Sequence, residues 1–178
     1  MSVRAETPES SELREDPQRR LSELSSLYEA ARTLLGARDH LQVASRIVHS
    51  GMGVLGSRSG AMFVADDRGR YRLLHFAGVD EAARGDSLPI SAQAREWILR
   101  EGAFVVGGAT AARALAELRD RLTEQFDASV AAAVSDAHGL LGLLVFGPRL
   151  LPTAYDDGHL ALLDSLSALA AQSLAARP

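Results

Sequence analysis

Between Ser129 and Gly147 the chain reads SVAAAVSDAHGLLGLLVFG, two apolar runs hinged on Asp136-Ala137-His138-Gly139. The hinge has the composition of a tight turn, so the runs read as paired strands. Neither run alternates apolar with polar residues, as a half-exposed strand does. Both are apolar nearly throughout, the pattern of central strands covered on both faces. A chain holding such a pair needs a layer of structure on each side of a sheet.

The rest of the chain is long enough to supply those layers and too short for a second domain: 178 residues, 47% hydrophobic and 24% charged. A formal net charge of −4 and no long Lys/Arg block argue against a nucleic-acid binder, whose phosphate contacts need a basic surface. There is no cysteine, which excludes disulfides, thiolate metal sites and Cys-linked chromophores. No run approaches the ~20 apolar residues of a membrane span, and the N-terminus lacks the apolar core of a signal peptide. The expectation is a cytoplasmic protein that meets no membrane.

Residues 1–18 are rich in Glu, Arg, Ser and Pro and read as a flexible tail, leaving a domain over residues 19–176. Leu21, Leu24, Tyr28, Ala31 and Leu35 then alternate spacings of three and four, one face of a helix that ends at Gly36. That face either covers the core or forms a seam for a partner subunit, and the repeat is too short for a free-standing coiled coil. Asp39 and Gln42 form a capping box for a second helix with Leu41, Ala44, Ile47, Val48 and Leu55 on its buried side. Gly51-Met52-Gly53-Val54-Leu55-Gly56 matches the dinucleotide-binding glycine pattern, but it follows a helix and precedes a strand. A phosphate site needs the opposite order, so this reads as a helix end and loop.

Strands are expected at Ala61–Ala65 and Tyr71–Ala77 around an Asp66-Asp67-Arg68-Gly69 turn, followed by a loop over residues 78–89. Ser91 caps a helix over Ala92–Arg100 that ends at Gly102, and Phe104-Val105-Val106 is a short strand. Thr110 caps one further helix with Leu115, Leu118, Leu122 and Phe126 on its inner face. After the central strands a last helix begins near Thr153 or Asp156, with a stripe of Leu162, Leu166, Leu169 and Ser173.

The ending HGLLGLLVFG (His138–Gly147), then Tyr155-Asp156-Asp157, then LALLDSLSALAAQSLA (Leu160–Ala175) resembles the GAF domain family. The first helix, LSSLYEAARTLLGARD from Leu21 onward, is similar to the one that opens such domains. The resemblance implies an α+β fold: a central antiparallel sheet with the two terminal helices and the second helix on one face, and short helices and loops on the other. It also implies a non-catalytic signalling or regulatory module. Such a module acts as a homodimer or on a partner signalling protein, with a small-molecule pocket under the short helices. The cysteines of bilin-carrying and methionine-sulfoxide-reducing relatives are absent. So is the Asn of the cyclic-nucleotide signature, since the chain has no Asn.

Within that frame His75, Trp97, Phe104 and Phe126 are the candidate pocket residues. Leu21, Leu24, Tyr28, Ala31, Leu35, Leu162, Leu166 and Leu169 are the candidates for dimer or helix-bundle packing. Haem through His75 as a single axial ligand stays open, but an imidazole in a strand more simply has a structural role, and no cofactor or metal is expected. Arg84, Arg95 and Arg100 are weaker candidates for an anionic ligand. No nucleophile–base arrangement, zinc-protease motif or phosphate loop is present, so enzyme activity is not expected. A purely structural dimerisation domain with a filled pocket is the remaining alternative.

Overall fold

The computed structural model describes residues 17–78 and 86–176. It opens with α1 (Pro17–Leu35) and α2 (His40–Leu55), then β1 (Gly60–Ala65), β2 (Tyr71–Ala77) and β3 (Ser87–Leu88). Next come α3 (Ala92–Glu101), β4 (Ala103–Val105), α4 (Ala109–Ala114) and α5 (Ala116–Phe126). β5 (Val130–Asp136), β6 (Gly139–Phe146) and α6 (Asp157–Ala175) close the chain. The strands form one six-stranded sheet in the order β3-β2-β1-β6-β5-β4, each neighbouring pair antiparallel. The architecture is α+β.

The sheet is covered on both faces, as its apolar strands require. One core joins Val130, Ala132, Val134, Leu144 and Phe146 of the sheet to Ala30 and Leu34 of α1, Ile47 and Val48 of α2, and Leu163 and Leu166 of α6. The other joins the alternate residues Ala131, Ala133, Leu143 and Val145 to Trp97 and Ile98 of α3 and Leu118, Leu122 and Phe126 of α5. Successive strand residues point to opposite faces, which is why β5 and β6 are apolar without alternation. The middle of the sheet is the β1–β6 pair, with Gly60 opposite Phe146 and Val64 opposite Gly142; β5 lies one strand nearer the edge.

Local chemistry sets the element ends. Asp39 caps α2 by accepting from the Gln42 N–H at 2.8 Å, while the Gln42 side chain accepts from the Arg38 N–H one residue further back. Ser91 caps α3 by accepting from Ala94 N–H. Asp156 and His159 form a full capping box on α6, whose first residue is Asp157. Tyr155 just ahead of it donates its hydroxyl hydrogen to the Gly147 carbonyl at 2.7 Å. The aromatic–acidic–acidic step therefore anchors the last helix to the end of β6.

The glycine-rich stretch also has a structural origin. Gly51 and Gly53 lie inside α2, which continues to Leu55, so the stretch is the last turn and a half of the helix and its cap rather than a loop. A Cβ on Gly51 would run into the Phe146 ring, Gly53 faces open space, and Gly56 takes the left-handed C-cap conformation at φ 62°. Close packing and capping account for the pattern without a phosphate.

The structure corrects the expected elements in several places. α1 begins at Pro17 rather than Arg19, with proline at the first helical position where its missing N–H costs nothing. The rest of the expected tail, and Asp80, Glu81 and Arg84 of the expected 78–89 loop, lie outside the described residues. That loop also carries β3, which pairs with Tyr71 and Arg72. The single helix expected from Thr110 is two, broken at Leu115; Gly108 is the N-cap and Thr110 sits inside α4. Leu41 is 54% exposed, and Val43 and Gly51 take its place on the buried side of α2.

Candidate functional site

Beneath α3 and α5 the aromatic side chains pack on one another. Trp97 and Phe104 meet edge to face with ring centres 5.0 Å apart, and Phe126 meets Phe63 of β1 in the same way at 5.0 Å. Phe76 approaches Phe126 at 6.3 Å. Trp97, Phe104 and Phe126 are each at most 7% exposed, so these three pocket candidates form a packed aromatic layer. Tyr71 closes one end of it, its hydroxyl donating to the Leu140 carbonyl at 3.1 Å, and burial raises its pKa. Leu73, Phe76, Ala65 and Ile90 border the same core and are only partly buried, which makes the β2–β3 side its open margin. At the sheet edge there, Arg70, Arg72, Asp86 and Ser87 line a separate polar hollow of about 360 Å³. Arg70 is already engaged, its guanidinium on Asp66 Oδ2 at 2.9 Å.

His75 does not join that layer. It stands opposite Met62 in the β1–β2 register, on the α2 side of the sheet, and its ring centre is 5.4 Å from that of His49. Desolvation and the neighbouring His49 lower its pKa. Its Nε2 atom is buried without a hydrogen-bond partner. A haem under the short helices with His75 as axial ligand does not fit this arrangement, because the imidazole lies on the opposite face of the sheet.

The packing candidates separate into two groups. Leu162 and Leu166 of α6 are buried in the chain's own core and Leu169 is partly buried against it, so they belong to the helix bundle. On α1 the stripe read as either core cover or partner seam points outward: Leu21, Leu24, Tyr28 and Leu35 are 63% to 82% exposed, and Ala31 is half-buried. The inward face is Leu27, Ala30 and Leu34. Both stripes have helical spacing, and the packing of α1 on α2 and α6 selects the second. Arg95 and Arg100 are exposed on α3.

Sequence reasoning missed His49, whose relation to His75 arises only when α2 crosses β2. It also missed the buried serines. Ser57 Oγ donates to the Ser59 carbonyl at 2.7 Å and lies 3.2 Å from the Gly147 carbonyl, tying the α2–β1 connection to the end of β6. A Gly-Ser-Arg-Ser-Gly string in an apolar setting was the available signal.

No protein-family model matches the sequence, and no curated protein matches it. Solved structures do. The GAF domain of a phosphoenolpyruvate-protein phosphotransferase (ptsP) from Coxiella burnetii is 20% identical, with a TM-score of 0.66 over 88% of this chain and 94% of that one. The GAF domain of the Acinetobacter phosphoenolpyruvate-protein phosphotransferase is 17% identical, with a TM-score of 0.66 over 87% of this chain and 93% of that one. The photosensory core module of Stigmatella aurantiaca phytochrome matches 91% of this chain with 38% of its own, at 17% identity and a TM-score of 0.65. On these superpositions the chain has the GAF-domain fold.

Proposed function

We propose that this domain is a cytoplasmic, non-catalytic GAF-type signalling module that works as a homodimer joined through α1. The observation that carries the proposal is the outward stripe of exposed Leu21, Leu24, Tyr28 and Leu35 with half-buried Ala31 among them. Its alternating three- and four-residue spacing is that of the a and d positions of a coiled coil, and it contains no charged residue. A second copy of the same helix, related by a two-fold axis, meets it with an identical stripe and fills it. Alone the repeat is too short to hold two chains together, but α1 is braced by the packing of Ala30 and Leu34 in its own domain. α2 lies between α1 and the sheet, so a small ligand or partner that shifts the far face biases how the two α1 helices meet.

The experiment is the oligomeric state in solution. The parent chain is expected to sediment as a dimer, and Leu24→Glu with Tyr28→Glu, two exposed positions that leave the core intact, to sediment as a monomer. A monomeric parent at all attainable concentrations removes the proposal. A second reading, a purely structural dimerisation domain, draws support from the aromatic layer of Trp97, Phe104, Phe63 and Phe126 that occupies the face where a ligand would sit. A ligand screen by thermal shift separates the two, since only the first expects a compound that raises the melting temperature.

A further inference from the structure

We propose that His49 of α2 and His75 of β2 form a binding site for one divalent first-row cation of zinc's class. The site lies on the face of the sheet opposite the aromatic layer and is independent of the α1 seam.

Three observations carry it. First, the ring centres are 5.4 Å apart. Two imidazoles on one tetrahedral ion, at ~2.0–2.1 Å per nitrogen, hold their ring centres roughly 5 Å apart. Second, the His75 Nε2 atom is buried and has no partner. A buried polar atom left unsatisfied is costly, so a ligand for it is favoured. Third, His49 Nδ1 lies 2.7 Å from the Ser45 carbonyl oxygen. A carbonyl only accepts, so Nδ1 carries the hydrogen, which leaves Nε2 as the nitrogen able to bind a metal ion. That is the arrangement in which an outer hydrogen bond orients a metal-binding histidine.

The site sits on a rigid backbone: Ser45 and His49 are one turn apart on α2, and His75 is paired across to Met62, which is fully buried. His49 is exposed, which leaves the pair a side open to solvent. Among the described residues no group of three or more His, Asp or Glu converges, so water completes the coordination sphere. Imidazole donors with water suit zinc, nickel and copper(II) over the hard cations magnesium and calcium. An ion held there staples α2 to β2, the strand whose other face carries Leu73 and Phe76 at the margin of the aromatic layer.

The test uses the untagged full chain and Zn²⁺ alone. Titration calorimetry is expected to show one equivalent bound, and the melting temperature to rise with Zn²⁺ concentration by mass action. His49→Ala, at an exposed position that keeps the fold, is expected to abolish both effects, and His75→Gln to do the same. Should His75→Gln fail to fold, His49→Ala decides by itself. No Zn²⁺ uptake by the parent overturns the proposal. So does uptake that persists in His49→Ala, since another histidine then holds the ion. A monomeric parent would leave this result untouched, so the dimer reading and the cation site fail separately.

Discussion

At Gly142 two strands approach more closely than a side chain allows. It faces Val64 on one side and Val134 on the other, and a Cβ there would run into the backbone carbonyl oxygen of Phe63. Gly139, three residues earlier, is needed for a different reason. Its φ of 135° closes the turn in which Asp136 Oδ1 accepts from the His138 and Gly139 N–H groups. Gly142→Ala is expected to destabilise the domain by about 2–3 kcal/mol, the upper part of the overpacking range, because the obstructing atom is backbone. Gly53→Ala, in an open helical position, is expected to raise stability by up to about 1 kcal/mol. Denaturant unfolding of both variants checks the pair, and an unchanged Gly142→Ala midpoint would contradict the close approach.

Asp164 of α6 is a residue-scale case with a pH signature. Desolvation raises its pKa, while an N–H from Ala103 of β4 opposes the rise. The carboxylate is also the group nearest Gly102, where a Cβ would stand 2.8 Å from its Oδ1. A carboxyl whose folded pKa is raised favours the folded state fully below its ordinary value, and that contribution is lost as pH climbs through the raised one. Asp164→Asn keeps an oxygen for the Ala103 N–H and cannot ionise. It is therefore expected to melt higher than the parent at neutral pH, with the gap narrowing as pH falls towards the ordinary value of 3.8. A gap constant across that range would show that ionisation plays no part.

At the scale of the element, α6 owes its start to a few side chains and its orientation to many. The Asp156 carboxylate accepts the His159 N–H at 2.9 Å, and the Asp156 N–H donates to His159 Nδ1 at 3.2 Å. Asp156→Ala removes the carboxylate half of the box and is expected to cost about 1 kcal/mol, read as a lower midpoint in urea with an unchanged slope. The direction of the helix would survive, because Leu162, Leu163, Leu166, Ala170, Ala171 and Leu174 remain buried along it. α1 is the opposite case. Among the described residues of α1 only Ala30 and Leu34 are buried, with Leu27 partly so, and a longer apolar stripe faces out.

On the scale of the whole molecule, that unused stripe makes the monomer incomplete in the proposed reading. A dimer that binds through folded α1 couples folding to association, so the melting temperature should rise with protein concentration in the parent and not in the Leu24→Glu, Tyr28→Glu double variant. The layered plan also limits how a signal can travel. The α1–α2–α6 layer and the α3–α5 layer are separated by the sheet, whose strands contribute alternate residues to each core. Consecutive residues such as Leu143 and Leu144 of β6 belong to different cores, so in the proposed reading any coupling between the two faces runs through the sheet.

Much of this molecule is local, and what is local was legible. The caps at Asp39 and Ser91, the Asp136–Gly139 turn and the two-sided burial of β5 and β6 follow from side-chain chemistry and spacing over a few residues. So does the element order that pointed to a GAF-like sheet. The sites were less legible, because a site is a relation between distant segments. His75 reads as an isolated imidazole in a strand until α2 brings His49 beside it, and Trp97, Phe104 and Phe126 read alike as pocket lining or as filling. α1 marks the boundary most clearly. Its sequence determines a helix with two apolar stripes of helical spacing, roughly a quarter-turn apart at 100° per residue. Periodicity cannot choose between them, since both satisfy it. Only the packing of Ala30 and Leu34 against α2 and α6 decides which stripe is core and which is left to face outward.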